Sequence, residues 1–326
     1  MKKFFILTVI LILCVAFLVG CGAAASPDYV PYWGQMTADG KDYLEKSVFE
    51  ISIKADDDGN PENEKFDKTT KGTYTTTLTR VSDGDGGVGS IYKLESAFEF
   101  SGKYNGKDFS DKYTSVVTFK VTSQSFTTLS STKTVENATF LNDNASLSTV
   151  SYTLTNEYKD KKVTSKITVS KDTGNKLSEV KSSYTQNLKD YYFDNESLFL
   201  GIRALTPAEG FSLASYNLLE PLEQEILTMQ AAYVSQADAK IELAAGTKIN
   251  GVLTDKINCN KVETKISGTI NTGASIFLYY SNDCMVRYIN KNGVTIDEIP
   301  YYFLAKVEHG DMIYTLKEFD NQSKKV

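Results

Sequence analysis

Residues 90–100 run Ser90-Ile91-Tyr92-Lys93-Leu94-Glu95-Ser96-Ala97-Phe98-Glu99-Phe100. Tyr92, Leu94, Phe98 and Phe100 share one parity, and Lys93, Glu95 and Glu99 share the other. Successive side chains of a strand point to opposite faces, so this spacing gives one β-strand with an apolar face and a charged face. The period recurs on both sides: Phe49, Ile51 and Ile53; Val117, Phe119 and Val121; Val150, Tyr152, Leu154 and Tyr158. After a Lys159-Asp160-Lys161-Lys162 turn come Val163, Ser165, Ile167 and Val169. The opposite faces carry Thr, Ser, Lys and Glu. Turn-forming clusters separate the segments, among them Asp56-Asp57-Asp58-Gly59-Asn60-Pro61 and Asp83-Gly84-Asp85-Gly86-Gly87. Residues 43–190 therefore form an antiparallel meander with one buried face per strand.

The pattern changes near Asn187. In Asp194–Leu205, Leu198, Ile202 and Leu205 stand at helical spacing after a polar start, and Thr206-Pro207 ends the run, which predicts a short helix. Leu218–Gln236 fits two readings. Leu219, Leu222, Ile226, Met229 and Tyr233 suit a helix, which is the preferred one, while Ile226-Leu227-Thr228-Met229 also suits the start of a strand. From Lys240 to Phe319 the alternation returns. The expected fold is mainly β, an antiparallel meander, barrel-like or built as two packed sheets, with one or two helices after residue 190. Residues 191–326 are expected to pack on residues 43–190 as one unit. The 41% hydrophobic content, with 20 Tyr and 17 Phe, suffices for a packed core.

The first residues carry a separate signal. Lys2 and Lys3 precede an apolar run from Phe4 to Val19, which ends in Leu18-Val19-Gly20-Cys21. This resembles the lipobox of bacterial lipoproteins, whose cysteine thiol takes a diacylglyceryl group and whose peptide is cut just before it. An uncleaved membrane helix is the alternative, but the run is shorter than the roughly 20 residues a bilayer requires. The resemblance implies a signal peptide over residues 1–20, a lipidated and tethering segment over 21–42, and a chain anchored through Cys21 to the extracytoplasmic face of the cell membrane. Cys21 is then an anchor, because two or more acyl chains make the attachment long-lived. Without Lys2 and Lys3, 33 basic residues face 41 acidic ones, a formal charge of −8 against −6 for the whole chain. A surface of that sign is repelled by nucleic acid, which is excluded as a partner.

Cys14 leaves with the signal and Cys21 is lipidated, which leaves Cys259 and Cys284 in an oxidising compartment. Their flanks suggest a hairpin, Lys261–Ile270 and Ser275–Tyr280, around Asn271-Thr272-Gly273. Counting outward from that turn sets Cys259 opposite position 284, 285 or 286. A cross-strand disulfide is then geometrically feasible, and two buried thiols are the alternative.

Familiar catalytic signatures are missing from the sequence. The single histidine, His309, lies in Val307-Glu308-His309-Gly310-Asp311 and suits a turn; no Gly-x-Ser-x-Gly, His-Glu-x-x-His or Cys-x-x-Cys occurs. Aligned on an EF-hand glycine, the first acidic loop has Lys54 and Lys65 where calcium ligands belong. No cofactor and no metal are expected. Aromatic pairs such as Tyr191-Tyr192, Tyr279-Tyr280 and Tyr301-Tyr302 suit strands, and exposed rings can line a ligand surface.

Tyr192-Phe193-Asp194-x-x-Ser197-Leu198-x-x-x-Ile202-Arg203 is followed by Ala245-Gly246-Thr247, Tyr279-Tyr280-Ser281-x-Asp283 and Arg287-Tyr288-Ile289. Over about residues 190–320 this resembles the DUF3108-like envelope proteins, although the family's Pro after that Arg is Tyr288 here. The resemblance implies an antiparallel barrel-like or wrapped-sheet fold in the cell envelope and no catalytic residues. The expected function is non-enzymatic binding or carriage of an apolar or lipid-like envelope ligand, with Phe98, Phe100, Phe119 and Tyr152 as its wall. The alternatives are a cell-wall polysaccharide enzyme using two carboxylates and a structural surface-interaction module.

Overall fold

The computed structural model describes residues 36–38, 43–54, 66–82, 89–122, 125–141, 147–204, 214–236, 240–267, 275–281, 285–289, 295–300 and 302–325. The lipobox, Trp33, both acidic loops, Asn271-Thr272-Gly273 and Cys284 lie outside them. After a three-residue strand at Met36–Ala38 that pairs with Ser323–Lys325, the first part of the large sheet is made of β1 (Glu45–Ile53), β2 (Lys71–Ser82), β3 (Ser90–Tyr104), β4 (Lys107–Val121), β5 (Phe126–Leu141), β6 (Leu147–Lys159), β7 (Lys162–Asp172) and β8 (Ser183–Asn187). Each pairs antiparallel with the next, which is the expected meander. The β3–β4 turn is tight because Asn105 and Gly106 both take positive φ, 48° and 73°, which matches the right-handed twist of the paired strands.

The second part begins with β9 (Tyr192–Asp194), a 3-10 turn (Asn195–Ser197) and helix α1 (Leu198–Ala204). It continues through β10 (Ala214–Glu220), β11 (Glu225–Gln236), β12 (Cys259–Ser267), β13 (Ile276–Ser281), β14 (Leu304–His309) and β15 (Met312–Asn321). β15 returns to pair with β1 along its length. With the short pair Lys248–Ile249 and Val252–Leu253, the strands form one 17-stranded sheet whose pairing order runs from β8 to β9. Among the described residues the chain is thus mainly β, with one large, predominantly antiparallel sheet and one short α-helix after residue 190.

The alternation proposed from sequence is the burial pattern. Tyr92, Leu94, Phe98 and Phe100 are all buried, as are Val117, Phe119 and Val121, and Val150, Tyr152, Leu154 and Tyr158. One contiguous core joins all of these except Tyr158 to Phe193 and Leu198 near the helix and to Leu278, Tyr314 and Phe319 from the later strands. A smaller cluster, Tyr158, Val163, Leu188 and Leu219, seals the region where β6 and β7 meet β10.

Three expectations need correction. Leu218–Gln236 is not a helix: it is the β10–β11 hairpin, with Leu227, Met229 and Ala231 buried alternately. Pro221 and the positive φ of Gln224, 57°, make the turn, and ladders on both sides of β11 override the local helical spacing. Val169 shares the face of Val163 and Ile167 but is 42% exposed, because the β8 ladder that covers β7 ends at Lys166. Cys259 stands opposite Ser281, three residues short of Cys284, because the β12–β13 register centres on residue 270 rather than on Asn271-Thr272-Gly273.

The two ends of the pairing order are joined by side chains rather than by a ladder. Tyr184 Oη of β8 donates to the Pro221 carbonyl in the β10–β11 turn (3.1 Å), and Gln224 Nε2 donates to the Lys181 carbonyl (3.1 Å). β9 is placed against β5, where Tyr192 Oη donates to the Thr128 carbonyl (3.3 Å). The sheet therefore wraps into a barrel-like form with helix α1 in its interior: Leu198, Leu200, Ile202 and Arg203 are each under 8% exposed.

Gly201 permits this placement. A Cβ there would lie 2.7–2.8 Å from three carbons of the buried Phe193 ring, closer than packing allows. Gly201→Ala is expected to destabilise the fold by about 1–3 kcal/mol through overpacking, although alanine is intrinsically the better helix former. Urea unfolding of the two proteins measures this, and an unchanged or raised midpoint would show that the helix is not seated on Phe193.

Candidate functional site

The short helix owes its position to four polar anchors. The first is Asp194, whose extended backbone (φ −72°, ψ 143°) and carboxylate cap the 3-10 turn by accepting from Glu196 N at 2.9 Å. The same carboxylate accepts from Ser131 Oγ of β5 (2.5 Å), and from Asn156 Nδ2 (3.3 Å) and Tyr158 Oη of β6. Ser165 of β7 extends the network by donating to Asn156 Oδ1 at 2.7 Å. Burial pushes the Asp194 carboxyl above its ordinary range, opposed by the bonds from Ser131 and Tyr158.

The second anchor is the buried ion pair of Lys133 Nζ with Glu196 Oε1 at 2.7 Å. The third is Tyr280 Oη of β13, which donates to the Phe199 carbonyl (2.8 Å). The fourth is Arg203, whose Nη1 meets both carboxylate oxygens of Glu45 on β1 at 2.8–2.9 Å. Such buried pairs are costly to break, because the survivor is left charged in a low dielectric. The residues that carry the resemblance noted above, Asp194, Ser197, Leu198, Ile202, Arg203 and Tyr280, thus all work in seating this helix. Their roles here are structural, and Ser197 itself donates to the Asp194 carbonyl at 3.0 Å.

Two cavities flank the helix and share Tyr74, Glu196 and Phe199. The first, about 30 Å³, adds Tyr113, Lys133, Asn195 and Tyr314 to its wall. The second, about 40 Å³, adds the apolar Phe49, Leu94, Leu200 and Leu304 and is bounded by the Glu45–Arg203 pair. Each has room for a few waters and falls well short of the roughly 300 Å³ of a small-molecule site. Lys133 Nζ also lies 4.1 Å above the Tyr113 ring, a cation–π contact inside the first cavity's wall.

The four residues expected to form the ligand wall are elsewhere. Phe98, Phe100, Phe119 and Tyr152 are each under 5% exposed and line neither cavity. Rings fill the space beside them: Phe98 stacks on Tyr113 at 4.7 Å, Phe100 lies 5.4 Å from Phe109, and Phe119 stacks on Phe126 at 4.5 Å. Cys259 is buried. His309 ends β14 at the Gly310 turn (φ 56°), and burial lowers its pKa to about 4, which keeps the ring neutral. Among the described residues, no group of three or more His, Cys, Asp or Glu is placed to hold a metal.

Sequence reasoning missed the buried charges. Glu45, Glu196, Lys133 and Arg203 are dispersed along the chain, and only the fold brings the two pairs together beside the cavities. Both cavity-lining carboxylates are held by cations. The carboxyls with the most altered acidity lie outside the cavity walls. Burial raises Asp111 to about 7 and Glu220 to about 8, opposed by backbone bonds from Thr139 and Leu222 respectively.

No family and no curated protein matches the chain. Among solved structures, a β-barrel-like protein of a domain of unknown function, DUF1849, from Brucella abortus is similar at 13% identity and a TM-score of 0.45, covering 86% of this chain and 98% of the other.

The buried carboxyls give a pH test. Glu220 keeps its proton to about pH 8 when folded but releases it near 4.5 when unfolded. The folded chain holds the extra proton between these values, so this contribution is complete below about pH 4.5 and is lost as pH rises toward 8. The wild-type melting temperature is therefore expected to fall between pH 5 and pH 8 by about 4 °C more than that of Glu220→Gln. Parallel melting curves across that range would show that Glu220 is not held neutral.

Proposed function

We propose that the chain is a membrane-anchored extracytoplasmic lipoprotein that binds or carries an apolar or lipid-like ligand and is not an enzyme. The anchor is Cys21 of Leu18-Val19-Gly20-Cys21. The observation that carries the binding reading is the pair of cavities meeting at Phe199, on a seven-residue helix inside a barrel-like sheet. With the helix seated, neither cavity holds a lipid-sized molecule. Phe199 is only half-buried and, with Tyr74 and Glu196, lines both. Displacing its ring would enlarge the space beside the helix.

On this reading the binding surface lies at the helix, and Phe98, Phe100, Phe119 and Tyr152 belong to the core. The polysaccharide-hydrolysing alternative is less favoured, because the carboxylates at the cavities, Glu45 and Glu196, are occupied by Arg203 and Lys133. A general acid requires a carboxyl that can hold and release a proton at its working pH.

Two experiments test the reading. Cys21→Ser is expected to abolish incorporation of labelled fatty acid and leave the precursor unprocessed; undiminished labelling would remove the anchor. The full chain and Phe199→Ala, purified from membranes and released from detergent in native mass spectrometry, are expected to differ. Phe199→Ala should retain a stoichiometric lipid-mass adduct at several-fold higher occupancy than the wild type. Two bare proteins would contradict the carrier reading, and a screen of glycan cleavage would come next.

A further inference from the structure

We infer that the rim of the sheet carrying the Lys248–Leu253 hairpin is a membrane-contact surface, and that Val252 and Leu253 insert into the bilayer to which Cys21 is attached. This rests on the proposed anchor and adds a second contact to it. Among the described residues, Leu253, Val252 and Val81 are the most exposed large hydrophobic side chains, at 70%, 65% and 57%. Singly exposed apolar residues are ordinary on a protein surface. Here the two most exposed are adjacent in one hairpin, and the third shares its rim. Ile249 pairs with Phe319 near the end of β15, Asn321 at that end pairs with Glu45 at the start of β1, and Glu45 pairs with Leu78, three residues before Val81 on β2.

The hairpin is fixed to the sheet while its apolar residues face water. Asn250 and Gly251 form a two-residue turn with positive φ, 49° and 82°. Asn250 N donates to the Phe319 carbonyl and its Oδ1 accepts from Asn321 N, both at 2.7 Å, and the buried Thr247 hydroxyl donates to the Leu316 carbonyl at 2.9 Å. Such a turn constrains only its central residues, so the backbone does not demand Leu253, which stands opposite Lys248. The tether reaches the fold at this same rim: Gln322 N donates to the Leu44 carbonyl (2.8 Å), and Met36–Ala38 pairs with Ser323–Lys325 just past β15. From Cys21 to Met36 the chain can span at most about 50 Å, at about 3.3 Å per residue. This is therefore the end of the fold that the anchor draws toward the membrane, and the anchor makes an otherwise weak contact intramolecular. Charge around the hairpin cancels, with Lys240, Lys248 and Lys256 against Glu242, Asp255 and Glu318, so the contact is apolar and needs no anionic lipid.

The test uses the mature lipidated chain in phosphatidylcholine vesicles with brominated acyl chains. Trp33→Phe removes the native indole, and one tryptophan is placed by Leu253→Trp or, as the control, by Val169→Trp on β7, six strands from β1 in the pairing order. Both positions are exposed, so neither substitution enters the core, and the same indole at each makes quenching a report of position. Bromine should quench about half of the Leu253→Trp emission, because an inserted interfacial side chain lies about 5–10 Å deep. Val169→Trp should be unaffected, and high salt should change neither result. Equal quenching at the two sites, quenching lost in high salt, or none at Leu253→Trp in chains that float with the vesicles overturns the rim contact while the anchor stands. Leu253→Trp emission that is blue-shifted but unquenched assigns the rim to a second copy of the chain and also overturns it. Chains that do not float with the vesicles remove the anchor, and the inference falls with it.

Discussion

The carboxylate of Asp194 is the constraint on which the rest of the structure depends. It is a buried anion that accepts from one backbone amide and three side chains, drawn from β5, β6 and the start of the helical turn. A 17-stranded sheet has two edges, and unpaired edges invite association with other chains. Here the edge strand β9 carries Asp194 onto the inner side of β5 and β6, so the sheet is wrapped by a polar cluster where a ladder would otherwise have to close it. A carboxylate is suited to this position because it offers several lone pairs to donors arriving from different strands, and charge-assisted bonds are stronger than neutral ones.

The helix follows from that closure. Asp194 fixes where the helical segment starts, Tyr280 holds the first turn of α1 through the Phe199 carbonyl, and Arg203 ties its end to β1, the strand that joins the two parts of the sheet. Seven residues cannot form a stable helix alone, since nucleation is costly and few propagating bonds follow. The helix therefore exists because of its anchors, and they are concentrated at a few atoms. Buried ion pairs seldom add net stability over apolar packing, and their value lies in setting one arrangement over others.

Much of the fold was legible because the period-2 signal is local. The face shared by Tyr92, Leu94, Phe98 and Phe100, and its repeats through Tyr158, required only the alternation of polar and apolar residues. The helix from Leu198 was legible from its polar start and its spacing. The β10–β11 hairpin was not, since Leu219, Leu222 and Ile226 suit a helix in isolation and only the flanking strands decide otherwise. The site was hidden for a related reason. Lys133 and Glu196 are separated by 63 positions and Arg203 and Glu45 by 158, so no local pattern links them. Aromatic residues chosen for a ligand wall became core because rings on adjacent inward faces fill one another's space, as Phe119 and Phe126 do.

Helix α1 is seated inside the sheet by Asp194 and its partners. Hydrogen exchange of the full wild-type chain, followed by mass spectrometry over peptides spanning residues 192–204, tests it most directly. These amides are expected to be protected far above those of an unfolded segment, opening as one cooperative unit at a free energy below that of the β3–β6 core. Exchange of the segment at the rate of an unstructured peptide would contradict it, because the helix would then neither fill the barrel nor gate anything within it.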